Sequence, residues 1–111
     1  MSEKKDDWDQ ISISLPVRYW VSMFSLTDQF IGANIKPKFE ELRKRGTKPD
    51  EIPDPLRAAL LGPVFARGAM VDALVDAGVM KPEVKEKMGD DILMEMARKY
   101  YEQNRKKNGS H

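Results

Sequence analysis

At Pro16 the hydrophobic period of this chain changes, and that change constrains the fold more than any other feature. Before it, Ile11, Ile13 and Leu15 alternate with Gln10, Ser12 and Ser14, the period of two that sends alternate side chains to opposite faces of a strand. After it the period lengthens to that of a helix. Val17, Trp20, Val21, Phe24 and Ile31 make one stripe, and Tyr19, Met23, Leu26 and Phe30 make a second beside it. Arg18, Ser22, Ser25 and Gln29 leave only a narrow polar strip. A surface helix shows a single apolar stripe, so this one must be covered on two sides. A chain of 111 residues has little material for that, because small domains bury a modest share of their surface. The expected fold is mainly α, with one N-terminal β-strand at about 9–15 that pairs across a homodimer, followed by roughly four to six helices. The surfaces assigned to the oligomer interface are Ile11, Ile13 and Leu15 on the strand and Trp20, Phe24 and Ile31 on the helix.

Punctuation residues divide the remainder. Gly32 is expected to end the first helix and Asn34 to cap a short second one, in which Ile35, Phe39 and Leu42 face inward,. The Arg43-Lys44-Arg45-Gly46 run closes it, with cations at the negative end of the helix dipole,. GTKPDEIPDP carries three prolines in ten residues and reads as a connector,. Asp54-Pro55 then opens a helix that Gly62-Pro63 is expected to break or kink,. It resumes with Val64, Met70, Val71, Leu74 and Val75 inward and stops at Gly78,. A short helix follows Lys81-Pro82-Glu83, and Asp90 caps the last one, with Ile92, Leu93, Met96, Ala97 and Tyr100 inward,. The organisation expected is a disordered 1–7, a strand–helix–helix unit over 8–46, a Pro-rich connector over 47–55, the helical rest of the same domain over 56–103, and a flexible tail over 104–111.

Motifs of catalysis are scarce. Cysteine is absent and the single histidine, His111, is the last residue, which removes thiolate chemistry and most metal sets. No nucleophile elbow, phosphate-binding loop or zinc-protease motif occurs. The carboxylate pairs Asp72/Asp76 and Asp91/Glu95 lack the Glu-x-x-His partners of di-metal bundles and read as solvated surface,. No catalytic residue, metal, cofactor or small-molecule substrate is expected. A charged N-terminus without an apolar h-region and the Cys-free composition point to a cytoplasmic protein,. No apolar run approaches the roughly 20 residues of a membrane span, so no membrane partner is expected. Net charge is +1, yet six bases (Lys36, Lys38, Arg43, Lys44, Arg45 and Lys48) face only Glu40 and Glu41 in one local cluster. Such a cluster is either solvated surface or a phosphate contact.

The alternating QISIS, the Leu-Pro junction, the amphipathic helix, the glycine and the second helix over residues 8–46 resemble ribbon-helix-helix DNA-binding proteins. The resemblance implies a homodimer whose two strands form an antiparallel ribbon in the major groove. Gln10, Ser12 and Ser14 would then face base edges, and Asn34, Lys36 and Lys38 at the start of the second helix would hold a phosphate. The strand carries no Lys or Arg, and Asp6, Asp7 and Asp9 would lie near the DNA. A second reading stands beside it: a non-enzymatic interaction module, such as an adaptor, an inhibitor or an accessory protein of a phage or mobile element, with no nucleic-acid binding.

Overall fold

The computed structural model describes residues 7–88 and 91–109, with side chains at 91 and 105–109 outside the description. The protein is mainly α-helical. Helix α1 spans Val17–Phe30 and passes through a π-helical turn, Ile31–Ile35, into α2, Lys36–Lys44. A 3-10 turn at Pro49–Glu51 leads to α3, Asp54–Asp76, then a short α4, Glu83–Lys87, and α5, Asp91–Gly109. Helix α3 is the centre, and both α1 and α5 pack against it. The result is a plate of 41 × 40 × 18 Å.

The core gathers where α1 turns into α2. Ile31, Ile35, Leu60, Leu61, Val64, Leu93, Ala97 and Tyr100 are buried together, with Trp8, Phe39, Leu42 and Phe65 packed around them. The π-turn explains how one helical rod serves this core. From Ile31 to Ile35 to Phe39 the stripe steps by four twice, which in a pure α-helix would swing it round by about 80°. A wider turn brings it back, and the Lys36 amide bonds to the Ile31 carbonyl five residues earlier, the π pattern. Gly32 therefore does not end the helix and Asn34 does not cap a new one. Asn34 instead donates its side-chain amide to the Phe30 carbonyl at 3.3 Å.

Other sequence expectations are corrected too. No strand occurs among the described residues, and residues 9–16 carry no regular secondary structure. A strand needs a neighbour for its backbone groups, and the described residues offer none. Helix α3 runs unbroken through Pro63; the carbonyl that loses its bond belongs to Ala59, which is exposed and so open to water. Ile92 was expected inside and is 78% exposed, whereas Leu93, Ala97 and Tyr100 are buried. Helix α5 continues to Gly109 rather than ending near Gln103. Residues 1–6, the Asp90 cap and His111 lie outside the described residues. By length and composition α3 could cross a membrane, its most apolar window averaging a hydropathy of 1.5. Arg57 and Arg67 interrupt it, so it holds no continuous apolar run of about 20 residues,. In this fold α3 is the helix that α1 and α5 cover.

The C-caps expected at Gly46 and Gly78 are found. Gly46 and Gly78 have φ of 75°, where glycine meets no Cβ penalty. The Thr47 amide bonds back to the Leu42 carbonyl at 3.0 Å, and the Val79 amide to that of Leu74 at 2.9 Å, closing each helix end.

Candidate functional site

The N-terminal arm is tethered at its start and open afterwards. Trp8 stands edge-on to Tyr100, with ring centroids 5.1 Å apart, and Gln10 Nε2 donates to Tyr101 Oη at 3.0 Å. Both contacts hold the arm to α5. Beyond them Ile11, Ser12, Ile13, Ser14 and Leu15 are all exposed, apolar and polar alike.

Helix α1 divides into two faces. Trp20, Phe24 and Thr27 are half-buried and Ile31 is fully buried on the side that meets α3. Asp28 reaches from α1 to the Arg67 guanidinium. Arg67 is 1% exposed while Asp28 is 49% exposed, so the pair joins a buried cation to a half-solvated carboxylate. The other face is bare: Tyr19, Met23, Leu26 and Phe30 are between 45% and 59% exposed, and α1 has no buried residue of its own. Ile31 therefore serves the core of its own chain and not an interface. Trp20 and Phe24 are partly used in the same way, while Ile11, Ile13 and Leu15 remain available. The second apolar stripe, which the interface assignment passed over, is the uncovered one. Its spacing of four, three and four residues was the signal.

The residues assigned to DNA are scattered in their roles. Gln10 is bound to Tyr101, whereas Ser12 and Ser14 are exposed. Lys36 is half-buried and donates its Nζ to the Met88 carbonyl at 3.3 Å, tying α2 to the end of α4. Lys38 lies 3.9 Å from Glu41. The helix is continuous from Val17 to Lys44, so no free helix N-terminus exists near Asn34 to hold a phosphate. Half of the basic cluster, Lys38, Arg43 and Arg45, is answered within the helix. Arg45 meets Glu41 at 2.7 Å, and Arg43 grips Glu40 at 2.5 and 3.2 Å. That hydrogen-bonded guanidinium holds the Glu40 carboxyl below its ordinary value and is itself raised.

One groove was not legible beforehand, because its walls come from three separate segments. Phe39 and Leu42 of α2, Pro49 and Ile52 of the connector, and Ile92, Leu93 and Met96 of α5 enclose about 520 Å³. Lys36, Glu40, Arg43 and Thr47 stand among the lining residues. The lining is predominantly apolar, as small-ligand and peptide grooves are. Among the described residues no cluster of three or more His, Cys, Asp or Glu could hold a metal ion. Asp72, one of the acids weighed as a ligand, is paired with Lys85. No family model, no curated protein and no solved structure matches this chain.

Proposed function

We propose that the protein is a small non-enzymatic interaction module that works as a homo-oligomer. The observation that carries this reading is the uncovered apolar surface of α1, continued onto Ile11, Ile13 and Leu15 of the arm. The chain exposes 8514 Å², against about 6,200 Å² for a compact monomer of its mass. Its radius of gyration is 15.4 Å, where a compact domain of this length has about 13 Å. Contiguous apolar surface of this kind marks an interaction site. The Cys-free composition suits work in a reducing, cytoplasmic setting. Sedimentation at tens of micromolar protein tests the reading. A dimer or larger species is expected, and Leu26→Glu should yield a monomer of unchanged helicity. A wild-type chain that stays monomeric at that concentration would refute it.

A DNA-binding dimer is the second reading, and the exposure of Ser12 and Ser14 on the arm favours it. Two such arms meeting across a two-fold axis would form the ribbon that one chain lacks, with Gln10 released from Tyr101. Phosphate contact would fall to the exposed bases rather than to a helix N-terminus. A mixed-sequence duplex at low salt should shift if this is right, and the shift should weaken steeply with salt. No shift at tens of micromolar removes it.

A further inference from the structure

Helix α1 carries two neighbouring seams with the same spacing. Trp20, Phe24, Thr27 and Ile31 are separated by four, three and four residues, and so are Tyr19, Met23, Leu26 and Phe30. That alternation is the period on which one helix receives another. The first seam is turned toward α3 of the same chain. The second is empty, each of its four side chains about half exposed.

We propose that the second seam is filled by α1 of a second copy of this chain, running antiparallel. This rests on the homo-oligomeric reading above and gives it a geometry. The seam is self-complementary about a point between Phe24 and Ser25. Tyr19 and Phe30 lie equally far from that point, and so do Met23 and Leu26. An antiparallel mate therefore sets Tyr19 against Phe30 of the second copy, an aromatic pair, and Met23 against Leu26 of the second copy. A parallel mate would instead stack Tyr19 on Tyr19 and Phe30 on Phe30. Antiparallel helices also oppose their dipoles.

The flanks of the seam do not resist a second copy. Ser22, Gln29, Trp20 and Thr27 border it and none is charged, so no like charges meet across the pair. The seam is also continued by the arm, whose exposed Ile11, Ile13 and Leu15 lead directly into α1, toward the roughly 800 Å² that a standard interface needs from each partner.

The absence of cysteine makes the geometry directly testable. Tyr19→Cys and Phe30→Cys are made separately, at exposed positions where folding is retained, which circular dichroism checks. Under mild oxidant each variant alone should stay uncrosslinked, and an equal mixture should give a disulfide-linked dimer, because the bridge requires the two Cα atoms within about 7 Å. Met23→Cys mixed with Leu26→Cys probes the inner layer in the same way and stands in should either outer variant misfold. Crosslinking of Tyr19→Cys alone would establish a parallel mate and overturn the proposal. A sedimenting dimer in which neither mixture crosslinks would overturn it too, leaving the interaction-module reading intact. A monomer in sedimentation would remove both.

Discussion

Helices α1 and α3 are both apolar, and they end in opposite situations. Helix α3 buries Leu60, Leu61, Val64, Arg67, Gly68, Val71 and Leu74; α1 buries nothing within its own bounds. The difference lies in neighbours and not in composition. Helix α3 packs against both α1 and α5, so the large apolar residues along one face find cover, while Ala58, Ala59, Ala69 and Ala73 stay exposed. Helix α1 sits at the margin of an 18 Å thick plate and has cover on one side only. An apolar helix in the middle of a fold is a core; the same kind of helix at the edge is an interface. The sharpest way to break the comparison is to place a charge on each. Val64→Asp puts an unpaired carboxylate at a site with no solvent access and should cost on the order of 4 kcal/mol or more. That is a large share of the 5–15 kcal/mol that holds a domain together, so thermal or urea unfolding should show a chain at or past its limit. Leu26→Glu should leave the urea midpoint of the monomer nearly unchanged. If both variants unfold, α1 is as much core as α3 and the distinction fails.

The pair that crosses between these helices offers the next test. Arg67 on α3 is buried and Asp28 on α1 is half in water. The two ends should respond unequally to removal. Asp28→Ala removes one charged partner of the buried guanidinium and should destabilise by roughly 1.5–3 kcal/mol in urea titrations. Arg67→Met leaves a carboxylate that water already reaches and replaces the buried stem with an apolar one, so the loss should be on the order of 1 kcal/mol. Equal losses would mean that the value of the pair resides in mutual attraction and owes nothing to the burial of its cation.

How far the sequence foretold this contrast depends on the scale of the feature. Helix bodies and C-caps were legible, because Gly46, Gly78 and the inward stripes of α3 are local patterns. The over-apolar character of α1 was legible too. Which stripe its own chain would cover was not, since that depends on where α3 passes, a matter of tertiary packing. Placing Ile31 at an interface was the resulting error. The strand was misread because alternation over Gln10–Leu15 specifies a face but cannot supply a neighbouring strand. The π-turn was misread because Gly32 and Asn34 are common helix-end residues; only the step of four from Ile31 to Ile35 to Phe39 hinted that the helix goes on. The groove of α2, connector and α5 left no local signal, its walls lying some fifty residues apart in the chain.

Helix α5, which packs against α3, can be loosened by pH. Tyr100 Oη donates to Asp54 Oδ1 at 2.7 Å. Burial first, then that hydrogen bond and the carboxylate's charge, push the tyrosine up to about 12, with Arg57 opposing. An unfolded tyrosine ionises near 10. A raised folded value favours the protonated form, so the stabilisation is complete below about pH 10 and is lost as pH rises toward about 12. The loss should be on the order of 2 kcal/mol. Tyr100→Phe should be less stable than wild type at pH 8 by about 1 kcal/mol, for want of the hydrogen bond. It should draw level or ahead by pH 12, because it has no phenol to ionise. Parallel urea curves for the two proteins across that range would contradict the coupling of α5 to α3 through this bond.

The smallest effect separates two accounts of the edge helix itself. If the chain ended a helix at Gly32 in the left-handed conformation, Gly32→Ala would cost about 1 kcal/mol, as a Cβ does there. In this fold Gly32 lies inside a continuous helix, and a Cβ would meet nothing within 4 Å. The substitution should therefore stabilise, by about 0.4–1 kcal/mol, since alanine loses less backbone freedom than glycine on entering a helix. Gly46 is the control. It too has open space around it, but its φ of 75° is a conformation that alanine adopts only with strain, so Gly46→Ala should destabilise by about 1 kcal/mol. Space is equal at the two positions and only backbone conformation differs, so opposite signs in the two urea midpoints would mark Gly32 as helix interior and Gly46 as helix end. A loss at Gly32 as large as that at Gly46 would restore the break that the sequence suggested. It would also shorten the rod to which the α1 seam belongs.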